Sequence, residues 1–275
     1  MRNDVLCGIV TYNPVMEKLS ANIEAIIEQV DTVLIVDNGS KEFEKIEKLK
    51  SEKVDILGLG MNKGIAYALN EIVKYSKKKR KSWILFLDQD SISPNNLVDD
   101  FIAAWYQCDH CGMLSPNIVY KNGPVENPKE LVTSKEWCIT SGSFTKTEII
   151  EKTNGFDEKM FIDLVDFDIC YQLKNLGYKI YQINSVNFYH ELGNLKYKKI
   201  GDKILWIENH NAFRKYYIIR NRLYLKRKYR LNGLPIYIDI LIEYIKVIFF
   251  EKDKIEKIKN MSQGFIDARK MSIDI

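Results

Sequence analysis

Little in this chain marks it as a secreted, disordered or membrane-spanning protein. Its five cysteines are an odd number without framework spacing, which excludes a disulfide scaffold and suits a reducing compartment. Charge of one sign is not in excess. Forty-one basic and 37 acidic residues nearly cancel at +4, so bulk charge gives no case for nucleic acid. After Met1 to Asp4 the chain enters an apolar strand-like run without a basic n-region, long apolar h-region or cleavage site. Cytoplasmic residence is the expectation. The apolar stretch Leu234–Phe250 holds three charges in 17 residues and makes a poor membrane span. What remains is a globular composition, 46% hydrophobic over 275 residues, enough for one main domain with an appendage.

The first ninety residues alternate between the strand and helix periods. Val5–Val10, Thr32–Val36, Val54–Leu57 and Trp83–Leu87 read as buried strands. Met16–Gln29, Lys41–Lys50 and Ile65–Tyr75 read as the helices between them. This order calls for a parallel sheet covered by helices, with ligands bound beyond the carboxyl ends of the strands. Those ends carry Thr11-Tyr12-Asn13-Pro14, Asp37-Asn38, Gly58 to Gly64 with Asn62-Lys63, and Asp88-Gln89-Asp90. Loop chemistry accounts for any one of these; their coincidence on one rim is the signal. Two phosphate motifs are missing. Thr-Tyr-Asn-Pro stands where a dinucleotide fold needs Gly-x-Gly-x-x-Gly, and Gly64-Ile65 breaks a P-loop.

Asp88 and Asp90 are two apart, so on an extended chain they point the same way and converge on one target. Two hard oxygen donors suit Mg²⁺ or Mn²⁺, which complete their shells with water and substrate phosphate. A solvated strand-to-loop turn is the alternative. Cys108-Asp109-His110-Cys111 has the spacing of half a zinc site, but no second pair lies nearby, and the stretch reads as the close of the helical segment Leu97–Gln107. Met113–Tyr120 and Trp137–Thr140 look like short strands. Ser141-Gly142-Ser143 then interrupts an apolar run, as glycine does where a ligand or another backbone approaches closely. Asp163, Asp166 and Asp168 follow among apolar neighbours. If the chain is helical from Asp163, then Asp163 and Asp166 share a face and Asp168 does not.

In their order and spacing these elements, with Gly155-Phe156-Asp157-Glu158 and His190-Glu191-Leu192-Gly193, resemble the inverting family-2 glycosyltransferases, and within them bacterial rhamnosyltransferases. The resemblance runs from Val5 to about Asn221. It implies a GT-A fold, an α/β mixed sheet flanked by helices. The catalytic domain would span residues 1–213, with a nucleotide-binding half to 90 and an acceptor half beyond. A helical C-terminal appendage would span 214–275. The resemblance assigns Thr11, Tyr12, Asn13, Asp37, Asn38, Asn62 and Lys63 to the nucleotide. Asp90 falls to a Mg²⁺ or Mn²⁺ cofactor, with His190 as a further ligand, and Asp88 to the ribose or the metal. Ser141, Gly142, Ser143, Trp137 and Arg214 fall to the donor sugar and acceptor. Asp37 suits thymine or uracil, whose N3–H it can accept. The family's base follows an acidic neighbour; here Val165 precedes Asp166. Asp166 keeps the base position and Asp163 takes the neighbour's electrostatic role, with the reverse assignment open.

From Arg214 to Arg230 stand eight basic residues and no acids, interleaved with tyrosines. Arg214, Tyr217, Arg220 and Asn221 also match the family pattern, which implies that part of this run lines the active site. In Leu234–Phe250 the charges Asp239, Glu243 and Lys246 share one helical face, as in an amphipathic helix lying on an anionic membrane surface. Packing on the catalytic domain or a second copy is the alternative. The resemblance thus implies a peripheral enzyme of the cytoplasmic membrane face that uses dTDP-L-rhamnose to extend a lipid-linked bacterial glycan, without nucleic acid as a partner. A UDP-hexose or galactofuranose donor is the first alternative. A sugar nucleotidyltransferase would need a glycine-rich loop after the first strand, which this chain lacks, and a non-catalytic membrane or glycan scaffold has no use for the retained acids.

Overall fold

The computed structural model describes residues 4–120, 130–190, 196–200 and 203–273; of Tyr120, Tyr189, His190, 196–200 and 203–205 it describes the backbone alone. These residues form two compact units, Met1–Phe161 with Val165–His190, and Ile162–Leu164 with Glu191–Ile275.

The first unit begins with β1 (Val5–Thr11), α1 (Met16–Ile26), β2 (Thr32–Asp37), α2 (Phe43–Glu47), β3 (Val54–Gly58), α3 (Ile65–Lys78) and β4 (Trp83–Asp88). It continues through α4 (Leu97–Trp105), β5 (Cys111–Tyr120), β6 (Val132–Lys135), β7 (Phe144–Lys146), α5 (Thr147–Ile150), α6 (Val165–Asn175) and β8 (Lys179–His190). Its eight strands make one sheet in the order β3-β2-β1-β4-β7-β5-β8-β6. The first four are parallel, β7 runs antiparallel to β4 and β5, and β6 runs antiparallel to β8. Apolar side chains are buried along almost the whole of β1, β2 and β4, as a sheet covered on both faces requires. Leu19, Ile23 and Ile26 of α1 and Ala66, Leu69 and Ile72 of α3 supply the covering stripes.

The expected βαβαβαβ order is present, and the structure differs from the sequence reading in three segments. Helix α2 covers only five residues of Lys41–Lys50, because the amide of Lys41 donates to Asn13 and those of Leu49 and Lys50 close i→i+3 turns. Trp137–Thr140 is not a strand; β6 lies upstream at Val132–Lys135. There Trp137 stacks on Phe167 (centroids 4.2 Å apart) and the buried Cys138 meets Cys170, so side-chain packing on α6 replaces ladder pairing. Asp163 and Leu164 have φ of 65° and 63°, and α6 starts only at Val165. The shared helical face expected for Asp163 and Asp166 therefore does not form.

The second unit pairs β9 (Lys196–Ile200) with β10 (Lys203–Ile207) and adds α7 (Ala212–Lys228), α8 (Gly233–Phe250) and α9 (Lys254–Asp267). Ile219, Leu223, Ile240, Val247, Met261 and Ala268 form the core of the three helices. Beside it lies an ionic chain in which Lys215, Glu243, Glu251 and Lys257 are buried and Lys246 is partly exposed. The ammonium of Lys215 donates to Glu243 (2.9 Å) and Glu251 (2.8 Å), Lys257 donates to Glu251 (2.9 Å), and Lys246 donates to the other oxygen of Glu243 (2.8 Å). Burial alone would depress the pKa of Lys215, but Glu243 and Glu251 outweigh it and hold the value up. Burial would likewise raise Glu243, and Lys215 with Lys246 pulls it down instead.

Glu243 and Lys246 of α8 thus turn into the unit, whereas Asp239, on the same side of the helix by sequence, stays exposed. The stability that Glu243 contributes is complete above the ordinary glutamate value of 4.5 and is lost as pH falls below it; that of Lys215 is complete below 10.5 and lost as pH rises past it. Lys215→Met leaves two carboxylates buried without their shared cation. It should lower unfolding stability by about 3–5 kcal/mol in urea titrations at neutral pH; a loss below about 1 kcal/mol would mean that water reaches the network.

Candidate active site

Four parallel strands end on one edge of the first unit, and their last residues are joined by hydrogen bonds from one turn to the next. Asp37, 1% exposed at the end of β2, is the hub. Its Oδ1 accepts from the hydroxyls of Thr11 (3.0 Å) and Ser40, and its Oδ2 from the amides of Gly39 (3.1 Å) and Ser40 (2.8 Å). A carboxylate has about four acceptor positions, so all are engaged. Ser40 also accepts from the amide of Asn13 (2.7 Å), and the Oδ1 of Asn13 accepts in turn from the amide of Lys41 (2.9 Å). Asn38 donates to Asn62 (3.1 Å) and accepts from the amide of Lys63 (2.8 Å). The amide of Tyr12 donates to the Gln89 side chain (2.8 Å), which joins β1 to β4. Thr11, Tyr12, Asn13, Asp37, Asn38, Asn62 and Lys63 are thus brought together, with Tyr12, Asn13, Asn62 and Lys63 at the surface. Lys63 lies 4.5 Å from the Tyr67 ring.

Gly64 closes this rim. At φ 90° a side chain is strained, and a Cβ would sit 2.7 Å from the carbonyl oxygen of Phe161, which accepts from the amide of Ile65. The segment before the acidic cluster is thereby fixed to the start of α3.

Strand β4 ends at Asp88, and the chain turns at once, with the Ser91 amide on the Asp88 carbonyl (3.3 Å). Asp90 sits in this turn, so its relation to Asp88 is set by the turn and not by the strand alternation expected from sequence. Asp88 is half-buried and Asp90 exposed. The Ser141 hydroxyl accepts from the Asp88 amide (3.1 Å) and meets that of Ser91 (2.9 Å). Gly142 and Ser143 bond the backbone of Phe86. Gly142 has φ 79°, and a Cβ there would press on Pro116 at 2.9 Å, a backbone reason for the glycine. Two hard carboxylates at a strand end fit Mg²⁺ or Mn²⁺, which need only one or two. Among the described residues no group of three acidic, His or Cys side chains gathers here. His190 is the last residue of β8, and its side chain lies outside what is described.

Asp166 is half-buried in the first turn of α6, where the helix dipole favours an anion, and its Oδ1 accepts from the amide of Phe167 (3.0 Å). Trp137, 46% exposed, covers Phe167, and Cys138 feels the Asp166 charge. The Cys138 thiol, bonded to Cys170 and buried, is held well above its ordinary pKa. Asp168 is fully buried on Gln172 (2.7 Å), a structural acid. In the second unit both oxygens of Asp163 accept from Arg214 (2.8 to 3.1 Å), while Asn221 donates to the carbonyls of Ile162 and Asp163. Ser40, Gln89 and Phe167 are the supporting residues that sequence reasoning did not single out; each stands beside a selected residue in its own motif. A cavity of about 420 Å³ opens at the opposite end of β4, around Trp83 and Lys146, and holds none of the selected residues.

The family model for glycosyl transferase family 2 matches residues 7–162. The dTDP-rhamnosyl transferase RfbF of Shigella flexneri is 30% identical over 291 residues, covering 98% of this chain and 96% of the relative. Among solved structures, S. aureus TarS 1-349 in complex with UDP superposes with a TM-score of 0.57 at 13% identity, over 98% of this chain and 73% of that one. The mannosyltransferase PcManGT from Pyrobaculum calidifontis, in complex with GDP-Man and Mn²⁺, gives 0.56 at 15%, over 99% and 76%. The fold is the GT-A arrangement of these transferases, and the chain belongs to glycosyl transferase family 2.

Proposed function

We propose that this glycosyltransferase moves L-rhamnose from dTDP-L-rhamnose to a hydroxyl of a lipid-linked surface glycan, with inversion at the anomeric carbon. The observation that carries the donor is the near full-length identity to a dTDP-rhamnosyl transferase. The rim gives it chemistry. Asp37 Oδ2 is held by two fixed amides, whereas Oδ1 is held only by the hydroxyls of Thr11 and Ser40, which can rotate. The pyrimidine N3–H takes Oδ1 in exchange for one hydroxyl. Asn62 and Lys63 flank the nucleotide.

Asp90, with Asp88 and His190, holds Mg²⁺ or Mn²⁺, which supplies Lewis acidity to the leaving diphosphate. Asp90→Ala should abolish cation-stimulated donor binding in calorimetry while the melting curve stays that of wild type. Full wild-type turnover in excess chelator would refute the cation requirement.

Asp166 takes the proton of the acceptor hydroxyl as its oxygen attacks the anomeric carbon. Asp166 is supported over Asp163 because Arg214 occupies both oxygens of the latter. Asp166→Asn should lose roughly 10²–10⁴-fold in turnover and still bind dTDP. Loss in Asp163→Asn with an active Asp166→Asn would reverse the two roles.

The stacked Trp137 and Phe167 offer an apolar wall beside Asp166, suited to the methyl group of a 6-deoxy sugar and poor for a 6-hydroxyl. Turnover with dTDP-L-rhamnose should exceed that with UDP-glucose or UDP-galactose when each is assayed with the same acceptor extract. A faster UDP-hexose reaction would end the rhamnosyl assignment and leave the family membership standing.

A further inference from the structure

Helix α8 presents an unbroken apolar arc to solvent. Leu234, Ile238, Leu241, Ile245 and Ile248 run along its length, flanked by Tyr237 and Phe249, and all are 38–68% exposed. At 3.6 residues per turn and about 1.5 Å per residue these side chains fill an arc of roughly 120° along about 23 Å, with no polar residue inside it. Isolated exposed apolar residues are ordinary on a soluble surface; a continuous arc of this length marks an interaction site. The opposite side is already in use. Ile240 and Val247 lie in the helical core, and Glu243 and Lys246 join the buried ionic chain.

We propose that this arc lies in the interfacial layer of an anionic bilayer, with α8 parallel to the surface. No helix among the described residues is long and apolar enough to cross a membrane, so α8 lies on it. Charge complementarity selects lipid. Lys226, Lys228 and Arg230 stand at the α7–α8 turn, and no acid occurs between residues 209 and 238. Lys226 sits over the ring of Tyr237 at the edge of the arc (5.6 Å), the aromatic and cationic pairing suited to the headgroup level. Asp239, the exposed acid of α8, lies roughly 140° from the centre of the arc.

A second copy fits less well. Antiparallel self-pairing would set the cationic turn of one chain against Lys252 and Lys254 of the other, with only Asp253 between them to compensate. The basic run contributes less than its eight charges suggest, because Arg214 holds Asp163, Lys215 is internal, and Arg227 caps the carbonyls of Ala268 and Met271. Apolar insertion is therefore the larger part of the attraction. The proposal deepens the transferase reading by naming the surface that brings the chain to a lipid-linked acceptor, and rests on that reading only for this purpose.

Truncation before α8 is not a clean test, since it strips Lys215 of both carboxylates. Point changes on the arc avoid this. Full-length protein should co-sediment with vesicles of phosphatidylcholine and phosphatidylglycerol, and binding should weaken with salt without vanishing. Leu241→Glu with Ile245→Glu should cut the bound fraction at least about tenfold, with thermal stabilisation by dTDP unchanged. Lys226→Glu with Arg230→Glu should remove the preference for phosphatidylglycerol and keep residual binding to phosphatidylcholine alone. If the arc variant fails to fold, Phe249→Trp serves instead, and its added fluorescence should be quenched by brominated acyl chains. Wild-type vesicle binding by the arc variant, or no quenching, overturns the proposal. So does a wild-type dimer in light scattering that the arc variant converts to monomer, which would give the face to a second copy. Absence of dTDP stabilisation in wild type would count against the dTDP-rhamnosyl reading and leave the vesicle result standing.

Discussion

The candidate site depends on one buried carboxylate. Asp37 is almost without solvent contact, and an isolated charge in that position would be prohibitively costly. It is tolerated because four donors from β1 and the β2–α2 turn converge on it. The demand works in both directions. Because the charge must be satisfied, the ends of β1 and β2 are held in one geometry, and from there the bonds of Asn38 to Asn62 and Lys63, and of Tyr12 to Gln89, extend the same order to β3 and β4. A rim assembled this way is organised before any donor arrives, and preorganised polar groups lose little freedom on binding.

Order falls off toward β4, and the difference has a chemical sense. The proposed base-recognition end is closed and fully bonded, whereas Asp88 is half-buried and Asp90 exposed. A hard cation that keeps water and substrate phosphate among its ligands needs an open edge of this kind. Ser141 accepts from the Asp88 amide and meets Ser91, which fixes the backbone beneath Asp88.

The parallel half was legible from sequence because each strand is short, apolar on both faces and followed by polar turn residues, a pattern with few other uses. The middle of the chain was not. Trp137-Cys138-Ile139-Thr140 is apolar and β-branched like a strand, yet its side chains serve contacts with α6, and no local rule separates ladder pairing from packing across an interface. Asp163 and Leu164 raise a related difficulty, since two consecutive left-handed residues are disfavoured for any side chain but glycine. What holds them is distant in sequence: Arg214 on the Asp163 carboxylate and Asn221 on the carbonyls of Ile162 and Asp163. The spacing of the acids is visible in the chain. The tertiary bonds that choose their conformation are not.

Helix α8 shows where amphipathic patterning fails as a guide. Its sequence places Asp239, Glu243 and Lys246 on one side, and the usual rule sends that side to water, yet only Asp239 goes there. Apolar burial alone would favour the reverse of the observed rotation, since the exposed arc of Leu241, Ile245 and Phe249 is more apolar than the face that carries Glu243. The orientation is set by Lys215, which is buried on α7 and has Glu243 and Glu251 as its counter-charges. Turning α8 outward would leave that ammonium with half its neutralisation, and losing a partner of a buried pair costs more than the pair contributes relative to apolar packing. The ionic chain thus acts as a register device. It fixes the rotation of the helix, and the exposed arc follows from that rotation.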